Sequence, residues 1–171
     1  MKDLNLLFET AKHNVESLGV EIGNIKYIEP NNRAKSRWGQ CKIYKNNNDW
    51  NKRVFTININ NRLLQDDIKD EKVMSVIIHE ILHTCRGCFN HGELWKRYAD
   101  LINDCYSCYK IERTQSSSYF GINKEDYKAE SKYEIVCGHC GYSFYRNRKF
   151  DTNRYLCGRC RHSNWIIYTN Y

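Results

Sequence analysis

The stretch Val76-Ile-Ile-His79-Glu80-Ile-Leu-His83-Thr84 decides how this sequence reads. Asp70 and Glu71 favour a helix N-terminus just upstream. From there the segment is apolar on nearly every side, as a buried helix is. On such a helix His79 and His83 stand four positions apart and share a face, so two imidazoles can reach one Zn²⁺. Glu80 is then beside the metal and not on it, where a carboxylate can take a proton from water and pass it to a leaving amine. Chance alone produces H-E-x-x-H in roughly 0.013 of chains of this composition. The apolar flanks lower that further, because buried polar side chains need partners. A catalytic zinc takes three protein ligands and keeps one position open. His91, separated from His83 by the seven residues Thr84-Cys-Arg-Gly-Cys-Phe-Asn90, is the natural third, with Glu93, Cys85 and Cys88 as competitors.

Working outward, Leu4, Leu7, Phe8, Ala11, Val15 and Leu18 recur at three- and four-residue steps and predict a helix over 3–18. Ile25–Ile28 and roughly Ala34–Tyr44 read as strands with Pro30–Asn32 as the turn between them. Arg53–Asn60 alternates Phe55, Ile57 and Ile59 against polar residues, the clearest strand pattern in the chain. A further helix is expected from Gly92 to Tyr106, with Leu94, Trp95, Tyr98, Leu101 and Ile102 available for its inner face. Residues 110–131 show no sustained period and read as a linker. An edge strand beside the metal can pair with an extended peptide, and either Arg53–Asn60 or Arg37–Tyr44 is able to do so. Tyr98, Arg97 and Arg37 are the candidates for a donor that assists the reacting carbonyl.

The C-terminal part is a second unit. Cys137-Gly-His-Cys140 and Cys157-Gly-Arg-Cys160 are separated by 16 residues, the spacing of a four-cysteine zinc ribbon. Tyr142–Tyr145 and Trp165–Tyr168 supply its strands. A domain of about 35 residues has little core of its own, so the metal holds it together. Residues 137–171 carry six basic residues against Asp151, a net +5, while the other 136 residues carry +2. Arg146, Arg148, Lys149, Arg154, Arg159 and Arg161, interleaved with Tyr145 and Trp165, suit phosphates and stacked bases. Cys88 and Cys105 are also 16 residues apart, but Cys105 lies ~21 Å along a helix from His91, which argues against a second ribbon. Cys105 is expected to pack as a small apolar residue.

The chain has 171 residues, 41% hydrophobic and 27% charged, enough for one globular domain with an appendage. No apolar run reaches the ~18 residues of a membrane span. Asp3, Glu9 and Lys12 interrupt the N-terminal apolar pattern, which is therefore no signal-peptide core. An intracellular, cytoplasmic protein, with nucleoid association open to it, is the expectation. Nine cysteines without an export signal point to metal ligation before disulfides.

VIIHEILHT, HGELWKRYADLIN, RWGQCK and VFTININNRLL together resemble the SprT-like metallopeptidase family, which includes bacterial SprT proteins and eukaryotic Spartan. The likeness covers roughly residues 3–108. It implies an α+β zincin-like domain, with an active-site helix and a small mixed or antiparallel sheet, followed by a small β zinc ribbon. His79, His83 and His91 are then ligands of a catalytic zinc, Glu80 the catalytic glutamate and Cys137, Cys140, Cys157 and Cys160 the ligands of a structural zinc. It further implies a metalloprotease acting on proteins on or near DNA. The expected layout is a catalytic domain over 1–109, a linker over 110–131 and the ribbon over 132–171. The rival expectations are a non-catalytic nucleic-acid-binding protein and a metallopeptidase indifferent to nucleic acid.

Overall fold

The computed structural model describes residues 1–34, 36–122 and 132–169. It divides into two compact units, Met1–Asn123 and Lys124–Tyr171.

The first unit contains three helices and a three-stranded sheet. Helix α1 (Leu4–Glu16) is capped by Asp3, whose carboxylate accepts from the Asn5 and Leu6 N–H groups, and it buries Leu4, Leu7, Phe8, Ala11 and Val15. Strands β1 (Asn24–Asn31), β2 (Gly39–Lys45) and β3 (Val54–Asn60) form a mixed sheet in the order β1-β3-β2, with β1 parallel and β2 antiparallel to β3. Pro30, expected in a turn, is inside β1. A missing N–H is tolerated there because β1 is an edge strand. The alternating strand is the central one, and both of its faces are buried. Phe55, Ile57 and Ile59 enter the core. Thr56 and Asn58 are covered by their cross-strand neighbours Tyr27, Lys42, Glu29 and Gln40.

Helix α2 (Asp70–Leu82) buries eight side chains among α1, the sheet and α3 (Glu93–Cys105). In α3 the buried residues are Trp95, Ala99 and Ile102, while Leu101, expected inside, is exposed. Cys105 is exposed as well, so it does not pack as an apolar residue. Residues 110–122, expected as the start of a linker, pack into the first unit instead. Ile111 and Phe120 are buried, and Ser117–Phe120 form a short 3-10 helix. This segment lacks periodicity because side chains satisfy its backbone: Asn103 donates to the Ile111 carbonyl and accepts from the Ile111 N–H, while Ser75 Oγ accepts from the Lys110 N–H. The rest of the expected linker, 123–131, lies outside the described residues.

Two ties set the geometry near His79 and His83. The Gly23 N–H donates to Thr84 Oγ1 at 3.0 Å, fixing the entry to β1 against the end of α2. The Asn60 amide donates to the Ala34 and Arg37 carbonyls, and the Asn60 N–H donates to the Trp38 carbonyl, so the segment leading into β2 is pinned to the end of β3.

The second unit is an antiparallel sheet in the order β5-β4-β6, made of β4 (Tyr133–Cys137), β5 (Ser143–Arg146) and β6 (Trp165–Thr169). Its two cysteine turns are near-copies. The Gly141 N–H donates to the Cys137 carbonyl and the Arg161 N–H to the Cys157 carbonyl, each at 2.9 Å. The Cys137 and Cys157 N–H groups in turn donate to the Tyr142 and His162 carbonyls, each at 2.8 Å.

A Cβ at Gly23 would collide with the Thr84 carbonyl and lie 2.8 Å from the Phe55 ring. Gly23→Ala is expected to destabilise the first unit by about 1–3 kcal/mol. Urea denaturation followed by far-UV circular dichroism checks this, since α1, α2 and α3 all belong to that unit.

Candidate metal centre

His79 comes from the last turn of α2, His83 from its C-cap and His91 from the loop before α3. Their ligating atoms lie within 4.8 Å of one another. His79 Nε2 is 3.2 Å from His83 Nε2 and 3.0 Å from His91 Nε2. The opposite nitrogens explain why. His79 Nδ1 lies 2.9 Å from the Glu112 carbonyl and His83 Nδ1 lies 3.0 Å from the Cys88 carbonyl. A carbonyl only accepts, so both Nδ1 atoms carry the proton and both Nε2 atoms present lone pairs. Facing lone pairs at such distances repel unless a cation lies between them. Nitrogens ~2.05 Å from a tetrahedral ion would stand ~3.3 Å apart, close to the two separations from His79. The residues therefore fit a metal held by three imidazoles, with a fourth position left open.

Burial keeps these rings neutral. It lowers the His79 pKa to about 3, helped by the neighbouring His83. Burial also lowers His83, and it lowers His91 with the charges of His83 and Arg113 adding to the effect. Trp95 packs against all three rings. Cys85 and Cys88, the competing thiols, are buried in the apolar core and join no ligand cluster among the described residues. Glu93 is likewise outside the cluster, at the first turn of α3.

Glu80 is buried, and burial raises its carboxyl to about pH 7 against the lowering effects of the Cys41 N–H and of Arg37. The Cys41 N–H donates to Glu80 Oε2 at 2.7 Å. A Cβ on Gly39 would lie 2.5 Å from Glu80 Oε1, so only glycine lets β2 run this close to the carboxylate. Of the two strands considered for peptide pairing, β3 is flanked on both sides and has no free edge, whereas β2 is at the edge. Among the three candidate donors, Arg37 lines the recess containing His79 and Glu80, and neither Arg97 nor Tyr98 does. The Glu112 and Cys88 carbonyls and the Cys41 N–H had no signal in the sequence, because backbone groups carry no residue code.

In the second unit Cys137, Cys140, Cys157 and Cys160 converge. Sγ separations of 3.5 Å (Cys137–Cys160) and 3.7 Å (Cys140–Cys157) match the ~3.8 Å edge of a tetrahedron with ~2.3 Å Zn–S bonds. The Cys140 N–H lowers the Cys137 thiol and the Cys160 N–H lowers the Cys157 thiol to about 6, which favours two thiolates. Against the lowering effect of the His162 backbone, burial and hydrogen bonds with the other three thiols raise Cys160 to about 12. Of the basic residues, Arg146 lies over Phe150, Arg154 over Tyr155 and Arg159 over Tyr142. Arg148, Lys149 and Arg161 are exposed. Tyr145 is exposed, its hydroxyl donating to Glu134. Trp165 is half-buried against Phe144 and Phe150, and its indole N–H is committed to the Tyr155 carbonyl. It belongs to the small aromatic core more than to the surface.

The burial of Glu80 has a measurable consequence. In the metal-free protein its folded pKa stands near 7, above the ordinary value of 4.5, so the folded state holds a proton that the unfolded state gives up. That contribution is complete below 4.5 and is lost as pH rises to 7. Glu80→Gln is therefore expected to melt with metal-free wild type at pH 4.5 and above it at pH 8. Thermal denaturation in chelator at the two pH values checks this.

The SprT-like family profile matches residues 4–117. Proteins described as SprT-like are similar: one from Lactiplantibacillus plantarum is 30% identical over 110 residues, covering 61% of this chain and 66% of the relative. One from Bacillus cereus is 24% identical over 154 residues, covering 86% and 88%. One from Staphylococcus aureus is 27% identical over 96 residues, covering 53% and 55%. The matched region thus spans just under two thirds of the first relative and about half of the third. The family profile takes in all of α2 and the three clustered histidines, and the chain belongs to the SprT-like family.

Proposed function

We propose that this chain is a zinc-dependent metallopeptidase that works inside the cell on proteins bound to or near DNA. The observation that carries the hydrolytic part is the convergence of the His79, His83 and His91 Nε2 atoms beside a buried carboxylate on the same helix. Zinc held by these three residues would act as a Lewis acid toward a peptide carbonyl and toward water. Glu80 accepts the proton that water gives up and returns it to the leaving nitrogen. Burial supports the acceptance, since it raises the affinity of Glu80 for a proton. The Cys41 N–H supports the orientation, because it holds one carboxylate oxygen. The outer edge of β2 has no strand partner among the described residues and offers main-chain groups to an extended peptide directly beside Glu80.

The DNA-directed part rests on the second unit. Four cysteines suited to structural zinc hold a small sheet whose surface carries Arg148, Lys149 and Arg161, with Tyr145, Tyr155 and Tyr168 exposed among them. Cations track a phosphate backbone and exposed rings stack on bases.

The test is zinc content together with cleavage of a DNA-binding protein, with and without single-stranded DNA. Two zincs per chain and DNA-stimulated cleavage are expected, with Glu80→Gln keeping both metals and losing at least ~100-fold in rate. Replacing Arg148, Lys149 and Arg161 by Gln is expected to make the salt dependence of single-strand binding shallower, by about 0.7 in slope for each phosphate no longer neutralised. Two zincs without cleavage under any condition would replace this reading with a binding module on a peptidase fold. Cleavage unchanged by DNA would reduce it to a peptidase that ignores nucleic acid.

A further inference from the structure

The recess beside Glu80 contains more positive charge than the hydrolytic chemistry uses. It has a volume of about 280 Å³, enough for one residue side chain. Its walls are formed by the segments Ser36–Gly39 and Glu112–Gln115 together with Val76, His79 and Glu80 of α2. The Trp38 indole N–H donates to the Gln115 carbonyl at 3.1 Å, which ties the two walls together. Each wall contributes one arginine, Arg37 and Arg113.

Neither guanidinium has a hydrogen bond, an ion pair or a ring contact among the described residues. The two carboxylates in the recess are engaged elsewhere: Glu80 accepts from the Cys41 N–H, and Glu112 pairs with Lys110 at 3.3 Å. The charge of Arg37 reaches Glu80, and that of Arg113 reaches His91. Two exposed arginines lining a one-residue recess, neither held by a hydrogen bond or ion pair among the described residues, offer paired positive charge to a carboxylate, with the Ser36 and Thr114 positions adding hydroxyl residues to the same lining.

The placement also says which part of a substrate enters. The recess opens on His79 and Glu80 and is not lined by His83 or His91. Glu80 both takes a proton from water and returns it to the leaving nitrogen, so the recess adjoins the reacting bond. We propose that Arg37 and Arg113 form a subsite for a substrate carboxylate next to the scissile bond, which makes the chain selective for acidic residues there or for a chain-terminal carboxylate. This deepens the peptidase reading and rests on it for the word substrate; the anion-binding recess itself does not depend on turnover.

The experiment uses the full-length, zinc-loaded Glu80→Gln protein and reads binding of fluorescent peptides by anisotropy. One set places a single Glu, Gln or Lys in an otherwise Ala-Gly frame with blocked ends, and a second set ends in a free carboxylate or a carboxamide. The Glu peptide is expected to bind about tenfold more tightly than the Gln peptide, with Lys weakest. Adding Arg113→Gln or Arg37→Gln is expected to erase the Glu preference while zinc content stays unchanged, which shows the variants remain folded. A preference confined to the second set identifies a terminal carboxylate as the occupant. Equal binding of Glu and Gln peptides, no binding of any peptide, or a preference that survives both arginine replacements overturns the proposal. Running the same peptides with the wild-type chain separates the two readings. Acidic binding without cleavage removes the peptidase and leaves the subsite, while Glu80-dependent cleavage indifferent to the acidic residue removes the subsite and leaves the peptidase.

Discussion

Everything in the first unit is arranged around the burial of α2. Val73, Val76, Ile77, Ile78, Ile81 and Leu82 are packed on α1, the sheet and α3, so this helix is the centre of the core as well as the carrier of His79 and Glu80. A polar side chain on such a helix has its water stripped away by the packing that stabilises the fold. For the three imidazoles that loss favours the neutral form, which is the form able to ligate a metal. For the carboxylate it favours the protonated form, which makes Glu80 a better proton acceptor. One physical cause therefore moves the two kinds of group in opposite directions, the imidazoles toward losing a proton and the carboxylate toward keeping one.

Orientation is supplied from outside the helix, by backbone. The Glu112 and Cys88 carbonyls select the tautomers of His79 and His83, and the Cys41 N–H holds Glu80. Two of the three segments that supply these groups are themselves anchored by side chains. Asn103 and Ser75 hold the stretch containing Glu112, and Asn60 holds the segment that leads into Gly39 and Cys41. The polar end of the central strand thus acts at a distance of one segment from the site.

The second unit follows a different rule. Its buried apolar set is small, comprising Ile135 and Phe150 with Cys137 and Cys157, and four converging thiols stand where a larger unit has its core. The near-symmetry of its two turns exposes one irregularity. Gly141 has φ 71°, and its counterpart Arg161 has φ 62°, a left-handed conformation that costs a non-glycine residue roughly 1 kcal/mol. A basic side chain thus occupies a position where glycine would be easier, on the most basic part of the chain.

The elements that follow from local pattern were legible before any coordinates. The 3.6-residue period of Leu4–Leu18, the alternation of Phe55, Ile57 and Ile59, the four-residue step from His79 to His83 and the paired cysteine turns each encode their geometry within a few neighbouring residues. Sequence alone thereby determined the elements that present the clustered histidines, the two cysteine turns and the fold class. It misjudged Pro30, Leu101, Cys105 and residues 110–122, and it favoured His91 without removing two nearby thiols from contention. Most of these answers depended on what lies opposite in space. Pro30 is acceptable because β1 is an edge, residues 110–122 are ordered because Asn103 and Ser75 reach them, and Cys85 and Cys88 drop out because their thiols do not converge with the three imidazoles. Tertiary structure alone decided which strand edge is free, which backbone groups orient the site and that Arg37 and Arg113 line one recess. These are properties of surfaces brought together from distant parts of the chain, and burial, charge and hydrogen bonding act between such surfaces without regard to sequence distance.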